Sequence, residues 1–101
     1  MDVTKSIERT PIGYGRITVA GVGITRLDAT LRAWARAVFV TVEDAAIRYR
    51  IDSGDPSVDV DGHIVIAGSN LYLNEPQSVR DLRMIADGAL LTSIVIVTYY
   101  F

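Results

Sequence analysis

Apolar and polar residues alternate one by one along much of the chain, and this period of two predicts β-strands. The clearest case is residues 37–43, where Val38, Val40 and Val42 share one face. The other face of this segment is also mostly apolar, so we expect a central strand with neighbours on both sides. Residues 47–52 alternate just as regularly, with apolar residues on one face and Arg48 and Arg50 on the other.

Turn residues divide the rest of the chain into short segments. Clusters of Gly, Pro, Asn, Asp and Ser recur roughly every 8 to 12 residues and separate about eight candidate strands. This spacing predicts an all-β fold with little helix, an antiparallel β-sandwich of jelly-roll-like type. Residues 24–36 fit two interpretations: Leu27, Leu31 and Trp34 lie at helical spacing, but a strand followed by a loop suits the β surroundings better, and we favour the strand and loop.

The pattern also predicts how the segments connect and which residues form the core. Glu43 and Asp44 form a short turn, so we expect a hairpin between segments 37–43 and 47–52. Residues 1–13 are polar and contain a Pro-Ile-Gly sequence, which predicts an N-terminal arm before a single domain at 14–101. The predicted core consists of Val38, Val40, Val42, Ile47, Tyr49, Ile51, Ile64, Ile66, Leu82, Ile94 and Ile96.

Composition and charge narrow the classes of partner. The 101 residues suffice for one core, and with 50% hydrophobic residues and a mean hydropathy of +0.28 we expect part of the apolar surface to be covered by further subunits, in a homo-oligomer. Ten basic against 12 acidic residues argue against a direct nucleic-acid binder. No apolar run approaches the roughly 20 residues that cross a membrane, and the first residues do not resemble a signal peptide, so we expect synthesis in the cytoplasm and no membrane partner.

Side chains for catalysis or metal binding are few. The chain has no Cys and a single histidine, His63, without an evident acid–base partner, so we predict no enzymatic activity, no catalytic residue and no cofactor. We predict no metal site either, although a loose calcium site on Asp55, Asp59 and Asp61 is an alternative to solvated turn carboxylates.

Two groups of residues are candidate subunit contacts. Arg48 and Arg50 lie about 7 Å apart on one face of their strand. They are suited either to carboxylates of a neighbouring subunit or to pairing within the chain with Glu43, Asp44 or Asp52. The second group is aromatic, and its members pack either on the core or on a partner because they are costly to leave in water; it comprises Trp34, Tyr99, Tyr100 and Phe101.

Residues 37–101, about two-thirds of the chain, resemble a group of small structural proteins of tailed phages and prophages. The resemblance lies in an A-x-R-Y-R-x-D block at residues 46–52, followed by Pro56, the pair Gly62-His63 and the aromatic run at 99–101. Ser53 before Gly54 and the Asp before Gly62 depart from the pattern, both in turns where length varies easily. Residues 1–36 do not match the pattern clearly.

The resemblance implies assembly rather than catalysis. It leads us to expect a structural protein of a bacteriophage. We expect it to be located in the virion and bound to the major capsid protein or to head–tail proteins. A capsid decoration or cement protein, or the base of a head fibre, is the expected role. A neck, head–tail or baseplate adaptor ring is the nearest alternative, and a small ligand- or sugar-binding β module is the alternative from a different class.

Overall fold

Eight β-strands and two short helices make up most of residues 10–101, the part of the chain that the computed structural model describes. In chain order they are β1 (Pro11–Ala20), β2 (Thr25–Arg26), α1 (Ala29–Trp34), β3 (Ala37–Glu43), β4 (Ile47–Arg50), β5 (His63–Val65), β6 (Asn70–Leu73), α2 (Pro76–Asp81), β7 (Arg83–Ala86) and β8 (Thr92–Tyr100). Residues 11–13, which the sequence assigned to the arm, belong to β1, and Thr10 before them is exposed and outside any strand. Residues 1–9 of the predicted arm lie outside the described part.

The strands form two four-stranded antiparallel sheets. Sheet A has the order β1-β8-β3-β6 and sheet B the order β2-β7-β4-β5. Strands that follow one another in the chain therefore mostly lie in opposite sheets, as in an eight-stranded jelly roll. The prediction of an all-β antiparallel sandwich with little helix is confirmed.

The inner faces of the two sheets enclose the core. From sheet A, β3 contributes Val38, Val40 and Val42, and β8 contributes Val95, Val97 and Tyr99; from sheet B, the core includes Ile47, Val65 and Met84. The alternation read from residues 37–43 gave both the bounds and the buried face of β3 correctly. Burial of each such aliphatic side chain stabilises the fold by roughly 1.5–3 kcal/mol.

Five residues assigned to the core lie elsewhere. Ile94 and Ile96 of β8 are only partly buried and point to the outer face, while Val95 and Val97 are fully buried. Both faces of this central strand are apolar, so composition alone does not reveal which one is inside. In the same way, Val65 is the buried residue of β5; the three other residues wrongly assigned to the core are exposed, namely Ile51, Ile64 and Ile66.

The segment at 24–36 contains a helix, contrary to the strand and loop that we favoured. The Asp28 carboxylate accepts hydrogen bonds from the backbone N–H groups of Thr30 and Leu31, and this cap begins α1. Only Thr25–Arg26 is strand. Within residues 10–101, no helix is long and apolar enough to cross a membrane.

The predicted hairpin at Glu43 and Asp44 is also wrong. β3 lies in sheet A and β4 in sheet B, so residues 44–46 carry the chain across the sandwich. Asp44 adopts a left-handed backbone with φ of 70°. The hydroxyl of Ser93 on β8 is buried and lies 2.6 Å from the carbonyl oxygen of Ala45. It gives this carbonyl, in the segment that crosses the sandwich, a hydrogen-bond donor inside the molecule.

Candidate functional site

Two of the four aromatic candidates are parts of the folded subunit rather than surface residues. Tyr99 is 1% exposed, and its hydroxyl accepts a hydrogen bond from the backbone N–H of Asp28 at 3.1 Å. Burial raises the pKa of Tyr99 above its ordinary value. Tyr100, on the other side of β8, packs against Ala37 and Phe39. Tyr99 therefore holds the start of α1 on sheet A, and neither tyrosine is free to anchor a partner.

The other two aromatic candidates are exposed and share a shallow groove at one end of the sandwich. Trp34 ends α1 and Phe101 follows β8, with 67% and 53% of their surfaces exposed. The Arg36 guanidinium lies 5.7 Å from the centre of the Phe101 ring, in cation–π contact. Arg80 completes this end groove, which has a volume of about 250 Å³.

The arginines of β4 lie on the outer face of sheet B. Strand register places Arg26 of β2, Arg83 of β7 and Arg50 of β4 in one row across three strands. Arg48 lies in the next row, beside Ile85. We call this surface the sheet B face. The sequence correctly placed Arg48 and Arg50 on one face, but it gave no indication of the two arginines from other strands.

Arg48 is committed to the fold and is not a free cationic contact. Its Nε donates to the Asp87 carboxylate at 2.8 Å, and the two side chains are only 14% and 16% exposed. A second guanidinium nitrogen donates to the carbonyl oxygen of Gly62 at 3.2 Å. The hydrogen bond from Arg48 lowers the pKa of Asp87 below its ordinary value. This pair fastens β4 to the loop before β5 and to the turn after β7.

Arg50 and Arg83 are also paired within the chain, at more exposed positions. Arg50 holds both carboxylate oxygens of Asp52, at 2.9 and 2.6 Å, which is one of the pairings that the sequence offered. These hydrogen bonds lower the pKa of Asp52 to about 2. Arg83 pairs with Asp55 at 2.8 Å. Three arginines of the sheet B face are thus neutralised by carboxylates of the same chain.

The turn carboxylates do not converge on a metal ion. Asp55 is bound to Arg83, while the Asp61 carboxylate lies 3.4 Å from the Ser57 hydroxyl. Among residues 10–101 there is no group of three His, Cys, Asp or Glu side chains that could hold a metal. His63 is exposed beside Tyr49, with ring centres 5.4 Å apart, and lines an open groove of about 390 Å³ with Arg50 and Asp52.

The outer face of sheet A is the surface that the sequence did not reveal. Strand pairing aligns three rows of side chains across it: Tyr14, Thr98, Phe39 and Tyr72; Arg16, Ile96, Thr41 and Asn70; and Thr18, Ile94 and Glu43. We call these eleven residues the sheet A face. Ile94, Ile96 and Phe39 form its apolar centre, and the polar residues lie around them.

The large side chains of the sheet A face are exposed or only partly buried. Tyr14 is 69% exposed and Tyr72 37%, while Phe39, Ile94 and Ile96 are only partly buried. An apolar centre with tyrosines and a polar rim is the usual anatomy of a protein–protein interface. The available signal was the doubly apolar pattern of β3 and β8, which indicates two covered faces.

Comparison of the chain with protein-family models, with curated proteins and with solved structures found no match.

Proposed function

We propose that this chain is a structural protein of a bacteriophage virion, which acts as a repeated subunit on the capsid as a decoration or cement protein or as the base of a head fibre. The observation that carries the proposal is the sheet A face, which has a partly exposed apolar centre inside a polar rim on a subunit of only 101 residues. Its partner in this role is the major capsid protein or a neighbouring copy. The role is one of assembly, and catalysis forms no part of it.

The strand order supports this role without selecting it. Eight-stranded jelly rolls occur in viral capsid proteins, but also in lectins and cupins, so a fold of this type hosts several functions. The choice among them depends on the surfaces. A lectin or cupin needs a concave site with converging polar groups, whereas a subunit of a shell needs flat complementary faces.

The aromatic residues favour assembly over a ligand- or sugar-binding module. Such a module was expected to bring Trp34 and the tyrosines together in one deep pocket. Instead, within residues 10–101, Trp34 lies in the end groove with Phe101, Tyr99 is in the core, and Tyr14 is on the sheet A face. The exposed aromatic side chains are therefore divided between the end groove and the sheet A face, which suits contact with proteins better than enclosure of one small ligand.

The contacts of the proposed subunit differ from those that the sequence indicated. Arg48 and Tyr99 are used inside the fold, so the sheet A face and the end groove with Trp34 and Phe101 take their place. A neck, head–tail or baseplate adaptor ring uses the same kind of faces and is the alternative position in the virion.

Copy number tests the proposal and separates the positions. Purified particles produced by a host that carries the gene are analysed by mass spectrometry, with isotope-labelled peptides of this chain and of the major capsid protein as standards. Hundreds of copies per particle are expected for a decoration protein. About six or twelve copies would move the assignment to the neck or tail, and absence from intact particles would end it.

A further inference from the structure

We propose that the sheet A face is complementary to itself, and that two copies of this chain pack face to face through it about a two-fold axis that runs along β8. This inference goes beyond the virion proposal and does not depend on it, because it concerns the purified chain alone.

The position of β8 within sheet A defines the symmetry. β8 has β1 on one side and β3 on the other. Rotation by 180° about an axis along β8 places β8 opposite β8, and β1 of each copy opposite β3 of the other. A two-fold contact of this kind uses the same surface on both subunits, so each pairing occurs twice.

Opposite charges lie where this rotation brings them together. Arg16 on β1 is level with Ile96, and Glu43 on β3 is level with Ile94. The offset of two residues is about 7 Å along the strands, which an arginine side chain can reach. The axis along β8 therefore pairs Arg16 of each copy with Glu43 of the other.

These two charges differ from the paired arginines of the sheet B face, because neither has an ion-pair partner among residues 10–101. Arg16 and Glu43 are exposed, and neither forms an ion pair with another residue in the described range 10–101. By contrast, Arg48, Arg50 and Arg83 are each held by a carboxylate of their own chain. One unpaired positive and one unpaired negative group at the rim of the same apolar face favour a second copy over a partner of one charge.

The area of the face fits a weak contact between copies. β1 and β8 extend over about 30 Å, but β3 has seven residues and β6 four, so the footprint is on the order of 490 Å² per copy. Two copies together cover on the order of 980 Å², which is the size of a weak or transient interface. Ile94, Ile96 and Phe39 lie in the middle of this footprint and would lose their remaining contact with water.

Charge exchange tests the pairing in the full chain. Sedimentation equilibrium gives the dimer dissociation constant of the wild type, Arg16→Glu, Glu43→Arg and the double variant. Each single variant is expected to weaken dimerisation at least about tenfold, since symmetry repeats the like-charge contact. The double variant is expected to recover most of the loss. Monomers at all concentrations up to 200 µM, or single variants that dimerise like the wild type, would overturn the proposal.

Symmetric cross-linking tests the face independently. The chain has no cysteine, so Thr98→Cys on the proposed axis is expected to link two copies through a short bismaleimide, which spans the roughly 10 Å between facing sheets. The matched control is Ile64→Cys, which is 50% exposed on β5 of the opposite sheet and is expected to remain unlinked. Efficient linking through residue 64 but not through residue 98 would place the dimer contact elsewhere and refute the proposal.

Discussion

The two outer faces of the sandwich differ in whether their charged side chains form ion pairs within residues 10–101. On the sheet B face, Arg48, Arg50 and Arg83 each bind a carboxylate that the same chain supplies. On the sheet A face, polar side chains surround the apolar middle of β8, and Arg16 and Glu43 have no ion pair within residues 10–101. The conspicuous arginine pattern of the sheet B face thus belongs to the scaffold, while the apolar centre of the sheet A face remains partly exposed.

The largest difference is expected between two variants that introduce an aspartate into β8, one on its inner face and one on its outer face. Val97→Asp buries an unpaired charge in the core and should cost at least about 4 kcal/mol of unfolding free energy. Ile96→Asp, one residue away on the sheet A face, should cost about 1 kcal/mol at concentrations low enough to keep the chain monomeric, because the carboxylate then reaches water. Urea unfolding followed by circular dichroism measures both. Similar losses for the two variants would mean that the inner and outer faces of β8 are not distinct in solution.

A smaller effect is expected when arginines are removed from the sheet B face. Arg48→Met leaves the mostly buried Asp87 carboxylate without its main partner, and we expect a loss of about 2 kcal/mol. Arg50→Met is the control, and it should change the unfolding free energy by less than about 0.5 kcal/mol because its pair is largely exposed. Equal losses in urea unfolding would contradict a scaffolding role specific to Arg48.

The pH dependence of stability gives the most subtle test of the same face. The pKa of Asp87 is lower in the folded chain than in the unfolded one, so its ionised form stabilises the fold above the unfolded pKa of about 3.9. This contribution is lost as the pH falls through the lower, folded pKa. The difference in unfolding free energy between the wild type and Asp87→Asn should therefore be constant near pH 6 and shrink below pH 4. A difference that does not change between pH 6 and pH 2 would argue against the ion pair with Arg48.

Local patterns predicted most of the strands, but the buried face of a strand only where apolar and polar residues alternate or the neighbouring positions differ in kind. Residues 37–43 alternate strictly, and β3 has those bounds and that buried face. In β8, the run Ile94-Val95-Ile96-Val97 is apolar throughout, so the sequence does not show which of its residues face inward. The two isoleucines were therefore assigned to the core in error. For α1, the sequence showed the helical spacing of Leu27, Leu31 and Trp34, but the β surroundings led us to favour a strand and loop. The Asp28 cap was a further helix signal that this interpretation did not use.

The candidate site was less predictable because its geometry depends on distant residues. Arg48 and Asp87 are 39 residues apart, and nothing local links them. The rows of the sheet A face join β1 to β8, so Arg16 meets Ile96 across 80 residues of chain. Such neighbours follow from the order of the strands in each sheet. The turn spacing predicted a jelly-roll-like sandwich, but not which strands pair.

The place of β8 between β1 and β3 also sets the order of events in folding. Of the six strand pairings in the two sheets, only β4 with β5 joins consecutive strands, so almost every ladder must close a long loop before it gains a hydrogen bond. β8 is the last of the eight strands to leave the ribosome, and until it arrives β1 and β3 have no neighbour to bridge them. Sheet A is therefore completed late, and the edges of β1 and β3 that face β8 stay unpaired on the nascent chain until then, which makes this interval the one in which aggregation competes with folding.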